Sequence, residues 1–120
     1  MDQEHIAKML SAAENVLDVQ HALAESGKSI VSEILKGTSE FKEWDHYPEN
    51  DVKDKQSGAQ YYYHAHASKE RDFQEHGHFH VFMRNTRLKD TRKDLKKLTH
   101  LIAISMDAYG VPKAIFTVNR

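Results

Sequence analysis

The sequence predicts an α+β domain in which two N-terminal helices pack on a four-stranded, mainly antiparallel sheet. Apolar residues recur every three or four positions as far as about Lys36, then at alternate positions from Gln60 onward, so the period changes from helix to strand. A polar, turn-rich stretch divides the two regimes. The chain of 120 residues is long enough for one core. A single domain is therefore expected over 1–120, with a helical layer at 1–37, a loop at 38–59 and the sheet at 60–120.

From Asp2 to about Ala24, residues Ile6, Met9, Leu10, Ala13, Val16, Leu17 and Leu23 describe one stripe of an amphipathic helix. Asp2 suits the N-cap, Glu4 the first turn and Gly27 the stop. A second helix is expected from Ser29 to Lys36, with Ile30, Val31, Ile34 and Leu35 on its apolar side and Gly37 ending it. His5 and His21 fall on polar positions and are expected to be solvated. Thr38 to Ala59 is read as loop, anchored by Phe41, Trp44 and Tyr47, with an exposed tip at Asp51 to Ser57. Within it, Asp45 and His46 are expected to bond locally rather than serve a site.

Strands are expected over Gln60–Ala67, His78–Arg84, Leu98–Met106 and Lys113–Asn119, with Asp107 to Gly110 turning the chain before the last. Tyr61, Tyr63, Phe79, Val81 and Met83 form the expected core face. Alternation then puts Tyr62, His64, His66, His78, His80 and Phe82 on the other face. His100 shares the parity of Ile102 and Ile104 and is expected to be a partly buried, satisfied histidine.

The formal charge is -1 and charged residues make up 29%, so a generic nucleic-acid binder is not expected. Mean hydropathy is -0.72, no apolar run is long enough for a membrane span, and the acidic N-terminus does not suit a signal peptide. A cytoplasmic protein is the expectation. With no cysteine, any metal must be held by nitrogen and oxygen. Arg84 to Lys97 is rich in Lys and Arg; it would either meet an acidic partner or form a solvated surface. The last strand is an exposed edge through which a second copy or a protein partner would pair.

The functional signal lies between Gln60 and Arg84, which holds five of the nine histidines. Two H-x-H pairs, His64/His66 and His78/His80, would meet if their strands form a hairpin that pairs His66 with His78 and His64 with His80. A slip of one residue would separate them onto opposite faces. Neutral imidazole binds Zn, Fe, Ni or Cu well, so a metal site is one reading. The other is a polar face on a half-solvated sheet.

Three resemblances bear on that choice. Gly58, His64-x-His66, Glu70 and Gly77 are spaced like the first metal motif of cupins, which implies His64, His66 and Glu70 as ligands. His76-Gly-His78-Phe-His80-Val-Phe82 resembles the signature of histidine-triad hydrolases, which implies His78 as a nucleophile toward a nucleotide phosphorus. The ordered blocks WDHYPENDV, QYYYHAHA, EHGHFHVF, HLIAISMDAYG and FTVNR look like an uncharacterised bacterial domain family. That family carries no known reaction, and its members continue beyond FTVNR; Asp107, Asn119 and Arg120 lie in its blocks and are secondary candidates.

The resulting expectation is a small metal-binding protein with His64, His66, His78, His80 and Glu70 as ligands. If it is an enzyme, His78 or Glu70 would take the catalytic role. A non-enzymatic interaction or inhibitor module and a histidine-triad-like hydrolase are the alternatives.

Overall fold

The computed structural model describes residues 2–67, 74–84 and 98–118. It is an α+β domain built on a five-stranded antiparallel sheet. Helix α1 spans Gln3–Glu25 and α2 spans Ile30–Ile34, followed by β1 Tyr47–Lys53, β2 Ala59–His64, β3 Gly77–Arg84, β4 Leu98–Met106 and β5 Pro112–Phe116. The strands lie in chain order, each antiparallel to the next.

Both helices start where their caps place them. The Asp2 carboxylate accepts the His5 amide at 2.9 Å, and Ser29 and Ser32 accept each other's backbone amides at 3.1 and 2.8 Å. The helices differ in what they cover. Val31 of α2 is buried, with Ile30, Ile34 and Leu35 packed beside it, against Tyr47, Tyr63, Phe79 and Met106. By contrast, α1 has no buried residue, and its stripe of Ile6, Met9, Leu10, Val16 and Leu17 stays exposed. The expected two-helix layer is thus carried by α2. Among the described residues no helix is long and apolar enough to cross a membrane.

The fifth strand, β1, arises in the segment read as loop. Its sequence YPENDVK offers only Tyr47 and Val52 as apolar residues, and its pairing with β2 is irregular between them. An edge strand with a bulge needs no strict alternation, so period-2 reading passes over it. Phe41 and Tyr47 do anchor this region, with ring centroids 5.1 Å apart. Trp44 was expected to be an anchor too, yet it is 52% exposed.

The β2–β3 register differs by two residues from the expected one. His64 pairs with His78 and Tyr62 with His80, leaving His66 beyond the end of β2. The opposite face supplies the reason. In this register Tyr63 stands across from Phe79, their rings 4.8 Å apart, and Tyr61 across from Val81. Gly77 makes room for it: a Cβ there would lie 2.8 Å from the Tyr63 ring and from the His64 carbonyl oxygen. Because the offset is even, His64, His78 and His80 remain on one face.

A second irregularity moves His100. The β3–β4 ladder pairs Val81 with Ile102 but Phe82 with His100, so one extra residue is accommodated in β4. That bulge reverses parity. His100 consequently joins the histidine face instead of following Ile102 and Ile104 toward the core. It is partly buried and hydrogen-bonded.

Candidate metal centre

Strands β2 and β3 present His64, His78 and His80 side by side on the face away from Tyr63 and Phe79. The three Nε2 atoms form a near-equilateral triangle: His64 to His78 is 3.0 Å, His78 to His80 is 3.1 Å, and His80 to His64 is 3.1 Å. Hydrogen bonding alone cannot satisfy this arrangement. A neutral imidazole offers at each nitrogen either one N–H or one lone pair, so at least two of the three Nε2 atoms are alike. At least one edge must then join two donors or two acceptors. With His64 and His78 only 7% and 2% exposed, water cannot easily relieve the conflict. A cation at the centre does, and the three residues form a group that could hold a metal ion.

The other ring nitrogens show how the cluster is oriented. The Nδ1 of His78 lies 2.9 Å from Oε1 of Glu75. A carboxylate only accepts, so Nδ1 carries the proton and Nε2 keeps its lone pair for the triangle. Glu75 is itself fixed by Ser105, whose Oγ donates to Oε2 at 2.6 Å. Ser105 pairs with His78 across β3 and β4. Carboxylate–histidine support of this kind is the usual second layer around a metal. On the other flank, His80 Nδ1 lies 2.8 Å from His100 Nε2. The bulge in β4 therefore has a chemical consequence.

Burial favours the neutral form of all three imidazoles. His64 is pushed down to about 3 by burial and then by His78 and His80 beside it. His80 is pushed down to about 4 by burial and then by His78 and His100. For His78, burial lowers the pKa while Glu75 works in the opposite direction. These depressed values set a pH dependence for the chelator-treated protein. The unfolded chain takes up protons on imidazole below about pH 6.5, whereas folded His64 and His80 resist them. Their contribution is fully present above about pH 6.5 and is lost as pH falls toward 4 and then 3. Thermal melts across pH 7.5 to 4 should show a steeper acid decline for the wild type than for a His64→Asn, His80→Asn variant. Parallel declines would contradict this account of the cluster.

The remaining sequence candidates are placed differently. His66 stacks on Trp44, centroids 4.4 Å apart, and its ring meets that of His78 edge-on at 4.8 Å, but it is not part of the three-nitrogen group. His76 does not join His78 and His80: its Nδ1 lies 2.8 Å from the Tyr63 hydroxyl and its ring stacks on Phe41, on the core side. The three histidines of the triad-like motif are thus split between two faces. Asp107 accepts the Tyr109 and Val111 amides at 2.8 and 2.9 Å, a turn role. Glu70, the segment from 85 to 97, Asn119 and Arg120 lie outside the described residues.

Sequence reasoning missed Glu75 and Ser105. The signal for Glu75 was its place three residues before His78. Reasoning from strand parity also missed the rim. His46 stacks on Tyr62, centroids 3.6 Å apart, and its Nδ1 lies 3.1 Å from Asp51 Oδ1. Buried Gln60 donates to the other Asp51 oxygen at 3.0 Å.

Glu75 gives a direct test of the supporting layer. Glu75→Gln keeps the shape but lets the amide nitrogen face Nδ1, so His78 can lose its fixed tautomer. Metal affinity should fall by roughly 10- to 100-fold in competition titrations against a chelator. Unchanged affinity would remove Glu75 from the site.

The family described as a domain of unknown function (DUF6969) has a model that matches residues 10–120, and the chain belongs to that family. No curated protein matches the chain, and no solved structure does.

Proposed function

We propose that this member of the DUF6969 family is a small metal-binding domain in which His64, His78 and His80 hold one divalent transition ion. The observation that carries the reading is the closed triangle of Nε2 atoms at 3.0, 3.1 and 3.1 Å. His64, His78 and His80 would each give such an ion one neutral imidazole nitrogen. Three protein donors are fewer than such an ion takes, so it would accept a further oxygen donor, polarising it or lowering the pKa of a bound water. Zn, Fe, Ni and Cu all suit imidazole. Glu70 enters this reading as a general base or an alternative oxygen ligand, while His66 stays on its stack with Trp44 outside the ligand set.

Adding each metal in excess to chelator-treated, untagged protein tests the proposal. At a free concentration about 100-fold above Kd the gain is about 2.7 kcal/mol, which for a domain of this size is a rise in Tm of roughly 10 °C or more. No metal raising Tm would defeat it.

The second reading, an interaction module, draws on one observation: the apolar stripe of α1 is uncovered. It is compatible with a metal in the sheet.

A further inference from the structure

The open side of the cluster has a character of its own. Four aromatic rings other than histidine border the three ligands, and they come from different parts of the chain. Trp44 approaches His64 edge-on with centroids 6.0 Å apart. Phe116 of β5 meets His78 edge-on at 5.5 Å. Tyr62 lies 5.2 Å from both His64 and His80. Phe82 packs at 5.0 Å on His100, which bonds His80, and lies 6.3 Å from His80 itself. Every ligand therefore has an apolar ring at its flank.

Two of those rings also face outward. Trp44 is 52% exposed and Phe116 37% exposed. Exposed rings beside a metal's open positions form walls for a partner with apolar faces. The loop is held deliberately close, since the Trp44 amide donates to the Ala65 carbonyl just past β2 at 2.7 Å, with Trp44 at φ 70°. Charge narrows the class further. A divalent ion on three neutral imidazoles carries two positive charges, and the Glu75 carboxylate bonded to His78 offsets one. With the Asp51 carboxylate engaged by His46 and Gln60 and Glu70 acting as base and not as ligand, one positive charge is left for an incoming donor to neutralise.

From this, resting on the metal reading above, we propose that the centre binds an aromatic monoanion, a carboxylate, phenolate or similar oxygen donor carried on a flat ring. The oxygen joins the three nitrogens on the metal, and the ring lies against the exposed rings of Trp44 and Phe116, alongside His66 on its stack with Trp44.

Benzohydroxamate and acetohydroxamate, which share a metal-binding group and differ in the ring, serve as probes. Protein loaded with Co(II) is titrated with each, following the visible ligand-field bands and the heat of binding. Metal content is measured separately on the same samples. Benzohydroxamate should bind at least about tenfold more tightly than acetohydroxamate. In a Trp44→Ala, Phe116→Ala variant that retains its cobalt, the preference should fall to less than about threefold. Equal affinity of the two probes, or a preference that survives both substitutions, overturns the aromatic-ligand proposal and leaves the metal reading standing. If the wild type does not retain cobalt, the same titration is run by heat of binding on whichever of the Zn, Ni or Cu forms it retains; retention of none of these metals overturns both.

Discussion

Replacing His78 with alanine should abolish metal retention more completely than any other single change. His78 is the least exposed of the three histidines on β2 and β3, at 2%, and its Nε2 forms two edges of the nitrogen triangle. It also carries the link to Glu75 and Ser105. Its loss therefore removes a ligand and the group that orients the site together. Affinity should drop well beyond the 10- to 100-fold expected for a second-layer change, and the metal-induced rise in Tm should vanish. His66→Ala is the informative companion. If the triangle is the site, that variant keeps most of its affinity; a loss as large as that of His78→Ala would make His66 a ligand of equal standing.

Tyr63→Ala should be the most damaging change to the fold. Tyr63 is fully buried, at 0% exposure, and with Met106 has the largest enclosed side chain. Its ring packs on Phe79 at 4.8 Å and over the space left by Gly77, and its hydroxyl lies 2.8 Å from His76 Nδ1. Truncation leaves a large cavity next to a displaced polar partner, costing roughly 3–5 kcal/mol. Such a loss is a large part of the stability of a small domain. Tyr63→Phe separates the two contributions, since it keeps the ring and removes a hydrogen bond contributing about 0.5–1.5 kcal/mol. Urea denaturation should rank wild type, Tyr63→Phe and Tyr63→Ala in falling order. Near-equal midpoints would show that the register is held elsewhere.

The position of Tyr63 explains why the hairpin was only partly legible in the sequence. Alternation assigns faces, and it correctly separates Tyr61, Tyr63, Phe79 and Val81 from Tyr62, His64, His78 and His80. It cannot distinguish registers two residues apart, because both preserve the faces. The fit of Tyr63 against Phe79 and Gly77 decides between them, and that is a property of packed shape. His100 is partly buried and hydrogen-bonded as expected, but its face differs for a related reason: a single bulge in β4 reverses parity, and no residue type near it announces the bulge.

The cap of α1 was readable because Asp2 acts on an amide three residues away, whereas Ser29, read as the first residue of the second helix, proves to be its cap. Burial was not readable for α1, since a stripe of Leu, Ile, Val and Met says that a helix has an apolar side without saying that anything covers it. The same limit applies to β1, which has too few apolar residues to show a period. At the site, motif spacing drew attention to donors and overlooked the groups that aim them. Glu75 and Ser105 meet only because β3 and β4 pair His78 with Ser105.

In this reading His64, His78 and His80 converge because a metal ion belongs between their Nε2 atoms. Elemental analysis of untagged protein, purified without chelator and with an equal sample dialysed against one, tests it most directly. The sample purified without chelator should hold close to one equivalent of a single transition metal per chain, removed by the chelator with a fall in Tm and restored by adding that metal back. Protein that carries no stoichiometric metal, and whose Tm is indifferent to added Zn, Fe, Ni and Cu, would contradict it.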